Sequence, residues 1–188
     1  MNPSHFTASR LTDGSSSWTL VTRLGQMLSR AENLYGPRDR SWTILGIEFG
    51  LVPPPMIWFP GDCKHIAIRL APNVLDNEVL ACYQLAHECV HLLAPIGQAN
   101  VPVLEEGVAT AFAEDYVSNP LLTNEPAYIR AAAVVRELLS NTPDAILRLR
   151  AIEPCFQKIT ASVFGEAGLT VPKAMIDELL SSFKPTAP

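Results

Sequence analysis

Positive charge and paired cysteine are both scarce in this sequence, and each scarcity removes a class of function. Lys and Arg number 14 against 19 Asp and Glu, for a net charge of -5 and a pI near 5.3. Nucleic-acid backbones are held by clustered cations, and no such cluster is present, so no nucleic-acid partner is expected. The four cysteines, Cys63, Cys82, Cys89 and Cys155, form no CxxC pair and no regular framework. They read as reduced, mostly buried thiols. No apolar run approaches the roughly 20 residues of a spanning helix, and Met1 to Ser17 lacks the cationic start and apolar run of a secretory signal. The expectation is a soluble, cytoplasmic chain without a membrane partner, export by a signal-independent route staying open. The pattern is silent on oligomeric state.

At 188 residues with an apolar share of 48%, the chain has the size of one domain with a core of ordinary extent. Residues 1–16 read as a loose start. Within 17–70, Trp18, Val21, Leu24, Leu28 and Ala31 recur at steps of three and four, the mark of an amphipathic helix that Tyr35-Gly36-Pro37 stops. Three short segments rich in β-branched and aromatic residues follow, Trp42 to Phe49, Met56 to Phe59 and His65 to Leu70, separated by Pro-rich breaks. They read as strands of one sheet. In the third, Ile66, Ile68 and Leu70 alternate with His65, Ala67 and Arg69, the pattern of an edge strand facing a cleft.

Residues 76–118 read as two helices: one capped by Asp76 or Asn77 and running to about Leu93, the other from Val103 to Tyr116. The turn through Pro95, Gly97 and Pro102 folds the second back on the first. From 125 to 184 the periodicity stays helical, near Ala127 to Leu139, Pro143 to Ile152, Phe156 to Phe164 and Pro172 to Phe183. The fold class expected is α+β, a small mixed sheet with an active-site helix followed by a mainly helical C-terminal part.

The chemistry is concentrated in His87-Glu88-Cys89-Val90-His91, an HExxH pattern. Histidines four apart lie on one helix face, one turn apart, so two imidazole nitrogens can reach one zinc ion at about 2.0–2.1 Å with Glu88 beside it. Chance produces this pattern in a chain of this length with a probability on the order of half a per cent. Two histidines and a glutamate in a helix otherwise built from Leu85, Ala86, Val90 and Leu92 also need a partner, because unpaired buried charge costs roughly several kcal/mol. A catalytic zinc needs three protein ligands and an open position. His5 and His65 are the other histidines, and Leu104-Glu105-Glu106-Gly107-Val108-Ala109 offers carboxylates at the start of the next helix. Cys89 points away from the histidine face and reads as packing.

HExxH followed by Glu-Gly-x-Ala on the next helix resembles the gluzincin branch of the zinc metallopeptidases, particularly its compact members, over roughly Trp42 to Tyr116. The resemblance implies a zincin-like fold, one zinc per chain held by His87, His91 and Glu106, Glu88 as general base, and a peptide or protein substrate. It implies that Gly107 lets the two helices pack closely. Glu105 stands where many aminopeptidase relatives have Asn, as a residue supporting a ligand, facing substrate or simply solvated. Thr110 stands where thermolysin-like enzymes carry an Asp that supports a zinc histidine. A second electrophile is implied downstream, with Tyr128 and Tyr116 as candidates by chain order. His65 and Arg69 are candidates to line the cleft, with a peptide aligned along His65 to Leu70. Trp18, Trp42 and Trp58 are expected in the core. Two other readings stay open: a non-catalytic zinc-stabilised interaction or regulatory module, and a metal-free helical domain. Between internal and terminal cleavage the lean is to endopeptidase.

Overall fold

Asn77 starts the helix that carries the HExxH residues: its side-chain oxygen accepts from the Leu80 amide at 2.9 Å, and Glu78 follows in the first turn, where the helix dipole favours a carboxylate. The computed structural model describes residues 20–51, 54–61, 64–75, 77–96 and 100–185. His5, Trp18, Cys63, Asp76 and Gly97 lie outside them. The described elements are α1 (Leu20–Tyr35), β1 (Thr43–Phe49), β2 (Met56–Trp58), β3 (His65–Leu70), α2 (Glu78–His91), α3 (Val103–Val117), α4 (Pro126–Asn141), α5 (Ala145–Ile152), α6 (Ala161–Glu166) and α7 (Lys173–Leu180), with 3-10 turns at Pro72–Val74, Pro120–Leu122 and Phe156–Lys158. This is an α+β arrangement of helices around a small mixed sheet. No helix among the described residues is long and apolar enough to cross a membrane.

The sheet corrects one expectation. Its order is β1-β3-β2, with β1 parallel and β2 antiparallel to β3. Among the described residues the His65 to Leu70 segment is therefore the central strand, and β2 is an edge. Alternation along β3 is real, Ile66, Ile68 and Leu70 being fully buried, but it records which face meets the helices and says nothing about lateral neighbours. Prolines immediately before Met56 were the available signal, since proline inside sheets is confined to edges and strand starts. Arg69 pairs with Glu48 at 2.9 Å and stacks over Trp58 at 5.1 Å, and neither His65 nor Arg69 lines the cleft described below.

In α1 the buried face is Leu20, Leu24, Met27, Leu28, Ala31 and Tyr35, while Val21 is exposed. Helix α2 packs on α1, on the sheet and on α3, and α3 lies between α2 and α4. Two polar contacts fix α2 in place. The Gln84 side chain accepts from the Ala71 amide at 2.9 Å, joining the end of β3 to the middle of α2. Buried Arg150, from α5, donates to the carbonyls of Tyr35, Gly36, Pro37, Leu93 and Pro154, gathering the C-terminal ends of α1 and α2. Burial lowers its pKa to about 10, which leaves it charged at neutral pH.

Gly107 does serve a close helix contact, but the partner is α4 rather than α2. A Cβ there would stand 2.4 Å from the Ala131 carbonyl oxygen and 2.6 Å from the Val135 side chain. Gly107→Ala is expected to destabilise by about 3 kcal/mol, because the obstacle is helix backbone that cannot rotate away. Urea denaturation would show it as a lowered midpoint at unchanged slope.

The chain end returns to the same region. The Val103 amide donates to the Ser181 carbonyl at 2.9 Å and the Phe183 amide to the Val101 carbonyl at 2.8 Å, so the segment after α7 pairs with the approach to α3. Cys82, Cys89 and Cys155 are buried free thiols, and Cys89 is fully enclosed.

Candidate metal centre

The two imidazoles of α2 face the first turn of α3, with ring centroids 5.2 Å apart. His87 Nε2 is 3.2 Å from Glu106 Oε2, and His91 Nε2 is 3.9 Å from Glu106 Oε1. Ligand atoms bound tetrahedrally at 2.0–2.1 Å stand about 3.3 Å from one another, so these separations are close to those a shared ion requires. Although His87 Nε2 lies near it, Glu106 Oε2 is a buried oxygen with no hydrogen bond. A buried carboxylate oxygen left without a donor is costly, and a cation between the three groups would supply its partner. His87, His91 and Glu106 could hold a metal ion.

Glu105 does not sit in solvent. It is 4% exposed, and its Oε1 lies 2.7 Å from His91 Nδ1. A carboxylate on Nδ1 makes that nitrogen the donor and turns Nε2, the nitrogen facing Glu106, into the acceptor that a metal needs. Burial of two adjacent carboxylates is tolerated here because both lie in the first turn of α3, at the positive end of its dipole. With no metal bound, burial alone would lower the His91 pKa, but Glu106, Glu105 and Glu88 outweigh it and raise it to about 10. Burial likewise opposes ionisation of Glu106, and the His91 and His87 rings hold its carboxyl below the usual range. Glu105→Ala is expected to weaken metal affinity roughly 10- to 100-fold while leaving the ligands in place, as measured by competition with a chromophoric chelator.

Glu88 is 4% exposed and faces the same region. Burial raises its pKa; the two imidazoles, and a hydrogen bond accepted from the Ile57 amide of β2, pull the other way without cancelling it. Edge strand and Glu88 are thus in direct contact. An open cleft runs past them in two compartments that share Pro55, His87, Glu88 and Tyr128.

The two tyrosines separate cleanly. The Tyr128 ring lies 5.7 Å from that of His87, is backed by Phe183 at 4.6 Å, and keeps its hydroxyl protonated: burial and the nearby Glu106, Glu88 and Glu125 all push its pKa up. Tyr116 instead packs on Phe112, under Arg30, away from the cleft. Thr110 is fully buried with its hydroxyl unpartnered, and histidine support comes from Glu105. Trp58 is not a core residue but a wall of the cleft, as is Gln157 from the C-terminal region, which sequence reasoning did not single out.

Comparison with family models, curated proteins and solved structures finds no match to this chain.

Proposed function

We propose that the chain is a zinc-dependent hydrolase of peptide bonds. The observation that carries this is the convergence of His87 Nε2, His91 Nε2 and the Glu106 carboxylate beside a buried glutamate, in a cleft rather than in a closed core. A nitrogen, nitrogen and carboxylate set suits zinc, and three ligands in an open cleft suit a catalytic site, whereas structural zinc sites are closed by four. Bound there, zinc supplies Lewis acidity toward water and toward a substrate carbonyl.

The remaining steps belong to the chain's own residues. Glu88 takes a proton from the attacking water through a carboxylate oxygen as the new C–O bond forms, and returns it to the amide nitrogen as the C–N bond breaks. The amine leaves neutral and the acyl half leaves as a carboxylic acid. The Tyr128 hydroxyl, held protonated, donates a hydrogen bond to the carbonyl oxygen as negative charge builds on it. Among the described residues strand β2 has β3 on one side only, so its other edge offers backbone groups, beyond the Ile57 amide that bonds Glu88, along which an extended peptide can lie. This role moves from His65 to Leu70, the central strand, to β2, Met56 to Trp58.

The test is elemental analysis of the purified protein, followed by hydrolysis of an unstructured peptide mixture before and after chelation. About one zinc per chain, with cleavage lost on chelation and restored by zinc, is expected. Zinc-loaded protein that cleaves nothing would favour the non-catalytic module, and protein that neither holds zinc nor gains thermal stability from it would remove the metal altogether.

A further inference from the structure

The segment that follows α7 reaches the candidate metal centre at two places. Helix α7 is anchored by fully buried Leu179 and by Glu178, which takes Arg130 of α4 through two hydrogen bonds, Nε to Oε1 at 2.6 Å and Nη2 to Oε2 at 2.7 Å. An exposed ion pair adds little stability, but two parallel bonds fix how α7 lies against the helix that carries Tyr128. Beyond Leu180 the backbone turns extended at Ser181, and Ser182 forms an antiparallel bridge with Pro102.

Helix α3 opens on Pro102, which supplies no side-chain cap, so its first amides need acceptors from elsewhere. The Ser181 carbonyl takes the Val103 amide at 2.9 Å, in the turn that carries Glu105 and Glu106. The Phe183 amide then bonds the Val101 carbonyl at 2.8 Å, which pins the backbone from which the Phe183 ring reaches Tyr128. Phe183 itself is half-buried and lies outside the hydrophobic core that gathers Leu179 and Leu180. A large ring at this position is therefore explained by its contact with Tyr128 and not by the core.

Tyr128 has need of such a neighbour. It stands in the first turn of α4, is half-buried, and borders both compartments of the open cleft. A tyrosine on a cleft wall has more than one staggered rotamer open to it. Its ring meets those of His87, at 5.7 Å and steeply inclined, and of Phe183, at 4.6 Å and tilted by 54°. Ring pairs at such separations attract, so Phe183 favours the one rotamer that keeps Tyr128 beside the metal ligand.

Resting on the hydrolase reading, we infer that Phe183 is a positioning residue for the reaction: seated by the pairing of Ser181–Phe183 with Val101–Val103, it holds the Tyr128 ring against His87 and so aims the hydroxyl at the substrate's carbonyl oxygen. That hydrogen bond strengthens as charge builds on the oxygen, so its misdirection lowers kcat and leaves KM in place.

The experiment uses the full-length zinc-loaded protein and a peptide that wild type cleaves. Tyr128→Phe should lower kcat about 100- to 1000-fold, the effect of losing one donor to a developing oxyanion. Phe183→Ala should lower kcat about 10- to 100-fold, as a misplaced group does, with KM changed less than about twofold and zinc content unchanged. Phe183→Tyr keeps a ring there and should recover most of the loss. In the Tyr128→Phe background, Phe183→Ala should cost less than about twofold more, because no hydroxyl is left to aim. Wild-type kcat in Phe183→Ala, equal losses in the two backgrounds, or a loss that follows zinc content would overturn the inference and leave the hydrolase reading standing. Wild-type kcat in Tyr128→Phe would overturn it too, by removing the group that Phe183 serves. Zinc-loaded wild type that cuts no peptide would end both.

Discussion

Glu106→Ala and His91→Ala are each expected to strip the protein of zinc, with metal content falling from about one ion per chain to near zero after dialysis. The expectation rests on geometry. Three groups on two helices converge on one point, and loss of one leaves two ligands, fewer than a catalytic zinc site holds; in Glu106→Ala the neighbouring Glu105 and Glu88 stay turned to His91 Nδ1 and to the Ile57 amide. The loss should register in stability as well, because an ion that binds only the folded chain stabilises it by about 4 kcal/mol at a thousandfold excess over Kd. For a chain of this size that is roughly 8–16 °C in Tm. Wild type should show that rise on adding zinc, and neither variant should.

A control separates metal loss from misfolding. Without metal, His91 bridges Glu105 and Glu106, so His91→Ala removes a buried partner from two carboxylates and should be the less stable variant in chelator. Glu106→Ala removes a carboxylate that faces both imidazoles but whose Oε2 has no hydrogen bond, and it leaves the His91–Glu105 bond in place, so it should sit nearer to wild type. If Glu106→Ala still held stoichiometric zinc, the third ligand would have to be a different group and the assignment of α3 to the site would fail.

How far the sequence led depended on the range over which each signal acts. The HExxH spacing lies within one helix, where pitch alone sets the geometry, and the ends of α2 follow from Asn77 and from Pro95 nearby. Glu106 came from resemblance, and the folded chain places its carboxylate against both imidazoles. Relations between elements were less legible. Which strand neighbours which depends on backbone pairing that side-chain alternation does not encode, so β3 was read as an edge although β2 holds that place. Gly107 signalled a close approach without naming the partner, which proved to be α4. Glu105 meets His91 only because of the rotation of α3 against α2, a quantity no single-helix pattern contains. One available signal went unused: Tyr116 is ten residues past Glu106, which at 3.6 residues per turn turns it about 80° away from that face, whereas Tyr128 belongs to another helix and is free of that constraint.

Glu88→Gln should lower kcat by roughly 10²- to 10⁴-fold, the share that a positioned general base contributes, while leaving one zinc per chain. The substitution keeps shape and keeps a carbonyl oxygen that can accept from the Ile57 amide, so β2 stays against α2 and the cleft stays formed. What it removes is the capacity to take a proton from water and return it to the departing amine, because an amide has no accessible proton affinity near neutral pH. Metal content and Tm therefore act as internal standards. Hydrolysis lost at constant zinc and constant stability assigns the proton transfer to Glu88; zinc and hydrolysis lost together would make the residue part of the metal's support; and hydrolysis retained would show that another group moves the proton, sinking this mechanism while leaving the metal in place. The last outcome would turn attention to the two groups that share both compartments with Glu88, His87 and Tyr128. With the metal bound, His87 would be committed to it by its Nε2, and a protonated tyrosine hydroxyl is not a base near neutral pH, so neither would replace a carboxylate.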